Sequence, residues 1–326
     1  MSNSNYIVPP WSNASSCQTA VSSVLITLSV TLSVFGVMVN LLVIAAFMSH
    51  KKIRNRMYNH FLIHLSISGF LFDITVLCIL TSRITCSAIW NLQKYLVACC
   101  FTYGIFSDLE LTVIAWDRYH ALTSPFRYSQ IVTFRRTICL IFALWLVSLS
   151  SAVLFMYKHN PKVLFLPFFV CIIEWLMIFI TAFIHIRVFR IAQRHAIQIK
   201  QRIPRPTFCH SVGYSVNEDV TEKGLVFMRS KFSSRIKRLK SLAELRATYT
   251  TSMILIAFVI FWLPSLIRLT VNLIKPDIDH DFINNFQKVA NILCVVGTIV
   301  NPCIYSLRNS DFKIAIAKLR KLCLRV

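Results

Sequence analysis

Apolar positions gather into seven long runs, at about 22–48, 60–82, 95–116, 136–157, 163–191, 248–274 and 286–307. A helix rises 1.5 Å per residue, so roughly 20 apolar residues cross a bilayer. The runs lack the two-residue alternation of a barrel strand. In lipid, a backbone outside a barrel finds hydrogen-bond partners only within a helix. The pattern therefore predicts an all-α membrane protein, a bundle of seven transmembrane helices, with a core over residues 22–309 between short ends at 1–21 and 310–326. Between the fifth and sixth runs, "QRIPRPTFCHSVGYSVNEDVTEKG" mixes proline, glycine and polar residues. It predicts a mobile connection over about 196–240. "SRIKRLKSLAELRAT" then reads as a basic helix leading into span six. After the last run, "SDFKIAIAKLRKLC" puts Phe312, Ile316 and Leu319 on one face. That spacing predicts a short amphipathic C-terminal helix lying on the membrane surface.

Composition strengthens the membrane reading. Of 326 residues, 56% are hydrophobic and 15% charged, against about 25% charged in soluble domains. The net charge of +22 is spread between the apolar runs. It matches an anionic lipid surface rather than nucleic acid. The distribution of that charge also predicts orientation. The first connection carries four lysines and arginines, and Gln193 to Arg246 carries twelve. The alternate connections carry pairs only: Arg83 with Lys94, Lys158 with Lys162, and Lys275 with Lys288. Basic loops stay cytoplasmic, so the N-terminus is expected outside and the C-terminus inside, in the plasma membrane. "NAS" makes Asn13 a glycosylation candidate on the outer side. The first charged residue is Lys51, so no basic leader region precedes the first run, which is expected to direct insertion itself.

Eleven cysteines are present, but Cys78, Cys99, Cys100, Cys139, Cys171, Cys294 and Cys303 lie in or beside apolar runs, where a thiol acts as a small hydrophobe. Cys17 and Cys86 fall in outer segments and are the disulfide candidates. Cys323, at the end of the amphipathic helix, is a palmitoylation candidate.

Several positions inside the runs carry chemistry. Asp73 is an acid in mid-span, where ionisable residues default to function. Asp117, Arg118 and Tyr119 close the third run, pairing an acid with a guanidinium that is always charged. Pro264 and Pro302 each remove an amide donor and kink a span. Asn40, Asp73, "DRY" at Asp117–Tyr119, Trp145, "FWLP" at Phe261–Pro264, "NPCIY" at Asn301–Tyr305 and then Phe312 follow one another in order. This ordered set resembles the rhodopsin-like family of G-protein-coupled receptors, over all seven spans and the tail helix.

The resemblance implies roles for these residues. Asp73, with Ser107 and Asn301, would hold an allosteric sodium ion; no other cofactor is implied. Arg118 would be held at rest by Asp117 and clasped by Glu244 from span six, then released to a heterotrimeric G protein. Pro125 and Phe126 would contact that G protein. Trp262 and Pro264 would act as trigger and hinge, Pro302 as a second kink, and Tyr305 would turn inward on activation. Some positions depart from the family pattern: Gly297 replaces a polar residue, His185 a tyrosine, and Met177 a proline. Asp108 is an added acid beside Ser107.

The half of the bundle facing the ligand is less specific. Gln93 replaces the family's span-three cysteine, and the loop "YKHNPKVLFLP" is short and has no cysteine. These features resemble the melanocortin branch with its lipid and cannabinoid relatives. "MYNHFLIHLS" and "IYSLRNSDF" are similar to odorant-type chemoreceptors. Cys100 stands where amine receptors have an acid, Val295 where opsins have a lysine, and Leu269 where adenosine receptors have an asparagine. Glu174 and Arg268 are candidate ligand contacts with Cys100 and Leu269. Asp277, Asp279, His280 and Asp281 form a solvated acidic cluster. The expected ligand is a peptide, lipid, nucleoside or small odorant. The alternative classes are weaker. A transporter or channel would show repeats and broken helices in matching positions. An enzyme would need a nucleophile–base pair or metal cluster, and His64 and His185 stand alone on separate spans.

Overall fold

The computed structural model describes residues 23–84, 92–156, 165–201, 222–275 and 280–323. The described residues form ten helices: α1 (Ser23–Ser49), α2 (Lys51–Arg54), α3 (Met57–Ile84), α4 (Gln93–Thr123), α5 (Pro125–Ile131), α6 (Phe134–Met156), α7 (Phe165–Gln201), α8 (Glu222–Ile274), α9 (His280–Arg308) and α10 (Ser310–Cys323). Seven of these are long and apolar enough to cross a membrane. They are α1, α3, α4, α6, α7, α8 and α9, spans one to seven, and they match the seven apolar runs. The protein is a multi-pass membrane protein.

The bundle is apolar on its outside. Phe142, Ile172, Phe179 and Leu307 are each more than 60% exposed, a surface that water would penalise and lipid does not. Polar side chains turn inward: Asn40, Ser66, Ser68, Asp73, Asp108, Glu110, Asp117 and Arg118 are all buried. Hydroxyls that lack an inward partner bond back to their own helix. Ser29, Thr102 and Ser148 each donate to the carbonyl four residues earlier. This satisfies them where no water is present.

Span three runs through the centre and packs against spans two, four, five and six; span seven packs against spans one, two and six. Trp145 anchors span four by stacking on Phe106 at 3.9 Å between ring centroids. Two close approaches need a glycine. A Cβ on Gly36 would lie 2.2 Å from Asp73 Oδ2, and one on Gly104 would lie 2.6 Å from the Trp262 ring.

Spans one, two and seven meet at Asn40. Pro302 has no amide hydrogen, so the carbonyl of Thr298, four residues earlier, loses its helical donor. Asn40 Nδ2 takes its place, donating to Thr298 O at 3.3 Å and to Gly36 O at 3.0 Å. The kink in span seven is thus supported from span one.

The long connection between spans five and six is shorter than the expected 196–240. Span five continues as helix to Gln201 and span six begins at Glu222. Lysine, arginine, leucine and alanine over 229–247 are strong helix formers, and they carry the helix well below the apolar run. The segment 202–221 lies outside the described residues.

The amphipathic C-terminal helix is present as α10. Phe312 and Ala315 are buried, and Ile316 and Leu319 pack on the same core. Its first turn is fixed by charge. Asp311 accepts Lys52 at 2.9 Å and Arg56 at 3.3 Å. Asn309 Oδ1 caps the Asp311 amide at 3.0 Å, while its Nδ2 reaches Asn59 Oδ1 at 3.4 Å.

Candidate functional site: a paired arginine and a buried carboxylate network

The sequence ends span three with Asp117 and Arg118, and the helix carries both into the protein. They are 1% and 4% exposed. A solvated pair would contribute under about 1 kcal/mol; this pair is not solvated. Arg118 Nε donates to Asp117 Oδ2 at 3.0 Å and Nη2 at 2.5 Å. The other carboxylate oxygen accepts the Tyr128 hydroxyl at 2.7 Å. The guanidinium lies over the Tyr58 ring, 4.3 Å from its centroid, a favourable cation–π position.

Tyr128 and Tyr58 are absent from the sequence reading. The signal for Tyr128 is its place in the helix opened by Pro125, which folds back towards span three. Pro125 and Phe126 open α5, where proline needs no amide donor, but their side chains lie outside the described residues. Tyr119 points outward. Glu244 stands in span six beside buried Leu245, and its side chain also lies outside the described residues.

Tyr305 is placed by contacts with span two and the C-terminal helix. It is already fully buried, hydrogen-bonded to Ser66 of span two, and 6.0 Å from the Phe312 ring.

The second cluster forms around Asp73. Its Oδ1 accepts Thr298 Oγ1 at 2.8 Å, and its Oδ2 accepts Asn40 Nδ2 at 3.4 Å. Thr298 escaped the sequence reading, although it sits one turn before Asn301. Ser107 bonds instead to Ser68 at 3.2 Å and to the Tyr103 carbonyl at 2.9 Å. Asn301 Oδ1 is buried and has no hydrogen-bond partner. The structure therefore gathers Asp73 with Thr298 and Asn40, and leaves Ser107 and Asn301 unbonded to the carboxylate.

Beyond the Asp73 cluster, on the side away from Arg118, Trp262 lies against Gly104 of span three. It stacks on Phe258 at 5.7 Å and meets Phe72 edge-on at 5.2 Å. Its Nε1 would lie 3.3 Å from a Cβ on Gly297, so the departure at 297 makes room for this ring. Pro264 lies inside span six. His185 is buried, its Nδ1 3.1 Å from the Thr181 carbonyl, and Thr181 is hydrogen-bonded to Thr112 of span three. Glu110, a fully buried acid with neither oxygen bonded, is missing from the sequence reading; a charge within an apolar run is the signal that finds it.

Of the candidate ligand contacts, Cys100 packs with Phe72, Cys294 and Val295. Leu269 is buried, and Trp175 of span five donates to Thr270 beside it at 2.9 Å. Glu174 lies within electrostatic reach of Asp108. Arg268 Nη1 donates to Gln287 at 3.4 Å. The described cysteines Cys78, Cys99, Cys100, Cys139, Cys171, Cys294 and Cys303 are free thiols. Asn13, Cys17, Cys86, Asp277 and Asp279 lie outside the described residues, as do the side chains of His280, Asp281 and Cys323.

The profile of the 7 transmembrane receptor (rhodopsin family) matches residues 39–305, from beside Asn40 to Tyr305. The chain belongs to this family. It is 27% identical over 324 residues to the Alpha-1A adrenergic receptor of Oryzias latipes, covering 90% of this chain and 66% of that receptor. It is 22% identical over 321 residues to the Cannabinoid receptor type 1B of Takifugu rubripes, covering 92% of this chain and 63% of that receptor. Cannabinoid receptor 1 of Taricha granulosa is 24% identical over 309 residues, with 89% and 61% covered. The chain thus spans about two thirds of the length of these relatives. Relatives from two differently named receptor groups leave the subfamily unresolved.

Within this rhodopsin-family receptor, the Tyr128 hydroxyl fixes the carboxylate that holds Arg118. A hydrogen bond to a charged group contributes about 1.5–3 kcal/mol. Tyr128→Phe is expected to raise ligand-free signalling severalfold at equal surface expression, read as basal cyclic-nucleotide or calcium change. Unchanged basal signal would remove Tyr128 from the resting lock.

Proposed function

We propose that this receptor sits in the plasma membrane with its N-terminus outside, and converts binding of an extracellular ligand into activation of a heterotrimeric G protein. The observation that carries the reading is the buried Asp117–Arg118 pair at one end of span three. A charge that is always present, and held by bonds that can be exchanged, is a two-state element. In the resting state Asp117 holds Arg118, and Glu244 of span six clasps it from across the bundle. Ligand binding at the opposite end moves Trp262, span six swings about Pro264, and Arg118 is freed for the G protein. Pro125 and Phe126 dock on that partner. Tyr305 exchanges Ser66 for the opened groove. Family membership favours this reading over a transporter, a channel or an enzyme.

We also propose a sodium ion at Asp73. The donors available there, Asp73, Ser107, Thr298 and the unpartnered Asn301 Oδ1, are hard oxygens that suit a hard cation. The ion would supply positive charge to a carboxylate that otherwise has hydrogen bonds alone, and would hold spans two, three and seven together at rest.

Two outcomes test these readings. Glu244→Ala is expected to raise nucleotide exchange on a G protein without ligand, by severalfold, with helices intact. Equal basal exchange in variant and parent at equal expression rules out the clasp. Asp73→Asn is expected to abolish sodium-dependent thermal stabilisation of the purified receptor. A parent receptor whose unfolding temperature is the same in sodium and in a large organic cation has no such site.

A further inference from the structure

Arg268 is an unusual charge to leave within a bundle. It stands one helical turn beyond Pro264, at the end of span six remote from Arg118. Its Nε is buried and has no hydrogen-bond partner. Its one bond, from Nη1 to the Gln287 amide oxygen of span seven, is long at 3.4 Å. The ion pairs among the described residues, Lys52 and Arg56 with Asp311 and Arg118 with Asp117, all lie at the other end of the bundle. Among the described residues, Arg268 thus carries a full charge with no acid paired to it.

The surroundings favour a tailed anion. Arg268 lies within electrostatic reach of Cys294. Cys294 packs in one apolar cluster with Phe72 and Val295, against which Cys100, Tyr103 and Trp262 also pack. The guanidinium therefore stands near a thiol and aromatic cluster that includes Trp262. Asp73 is the acid within electrostatic reach of Cys100, and its two oxygens already accept Thr298 and Asn40. Cys100 is a neutral thiol, and Asp108, the next acid inward on span three, is eight residues further, about 12 Å along the helix. Asp108 lies within electrostatic reach of Glu174 and is itself only 2% exposed.

We propose that Arg268 anchors an acidic ligand: a carboxylate on an aromatic or short hydrocarbon tail, its head on the unpaired Nε edge of the guanidinium and its tail on Cys294, Tyr103 and Trp262. This rests on the receptor reading above and names the ligand class of that receptor. The Nε edge offers two parallel N–H donors, which match the two oxygens of a carboxylate. Pairing them removes the penalty of a buried, unsatisfied donor. The tail adds burial against rings that prefer offset or edge contacts. The ligand would reach Trp262, the residue whose displacement opens span six.

The test uses the full chain in phosphatidylcholine nanodiscs, with unfolding temperature as the readout. Phenylbutyrate is compared with phenylbutanol and phenylbutylamine, which share its tail. The acid is expected to stabilise the receptor saturably; the alcohol and amine are not. Arg268→Gln is expected to weaken the acid by about tenfold or more, the scale of a charge-assisted pair. Arg268→Lys, which keeps the charge and loses the fork, is expected to fall between. No saturable shift with the acid, equal shifts with all three compounds, or acid binding unchanged in both variants overturns the proposal. The same discs carry a G-protein exchange assay. Exchange by the Glu244→Ala variant without acid binding overturns the anion site and leaves the receptor reading. Acid binding without any exchange overturns the receptor reading and leaves the site.

Discussion

Arg118 is always charged and is 4% exposed, and the end of the bundle around it is organised by the need to keep that charge paired. Removing one partner of a buried pair costs about 3–5 kcal/mol, because the other charge is left alone. Asp117 therefore has to be held in turn, and Tyr128 holds it. Tyr58 covers the open face of the guanidinium. Each of these contacts ties span three to a neighbouring element: Tyr58 to span two, Tyr128 to the short helix α5. A conformational change at this end has to provide Arg118 with a replacement partner. A G protein supplying one is the simplest way to make opening depend on the partner.

The same rule operates in the middle of the bundle, with hydrogen bonds in place of charge. Pro302 leaves a carbonyl without its helical donor, and Asn40 supplies it from span one. Asn40 also reaches Asp73, and Asp73 accepts Thr298. Three spans are thereby joined around one kink. Gly36 allows this by leaving room for the Asp73 carboxylate, and Gly104 allows Trp262 to lie against span three. Small residues here set the distances at which the polar network and the tryptophan can work.

The spans were legible because lipid imposes one strong rule, that an apolar run of sufficient length must be a helix. Their apolar cores fell within a few residues of the observed helices. The helical extension of span six down to Glu222 was less legible, since basic helix formers carry no apolar signal. The buried acid–arginine pair could be found from adjacency in sequence. Tyr128, Tyr58 and Thr298 could not, because each becomes a partner only when elements distant in the chain meet. The same holds for Tyr305, whose burial depends on Ser66 and Phe312 from two other elements. At the opposite end the sequence offered single departures from several subfamilies. Packing was needed to show that no described acid pairs with Arg268 and that Cys294, Tyr103 and Trp262 pack in one cluster.

The central claim is that releasing Arg118 separates spans three and six at its end of the bundle. Distance measurements between spin labels introduced as noncanonical residues at Thr123 and Arg246, both exposed near that end, test it most directly. With a nucleotide-free G protein bound, the distribution is predicted to move to longer distances by several ångströms, and to return when nucleotide releases the partner. An identical distribution in the free and G-protein-bound receptor would contradict the account, because coupling would then proceed without the two spans parting.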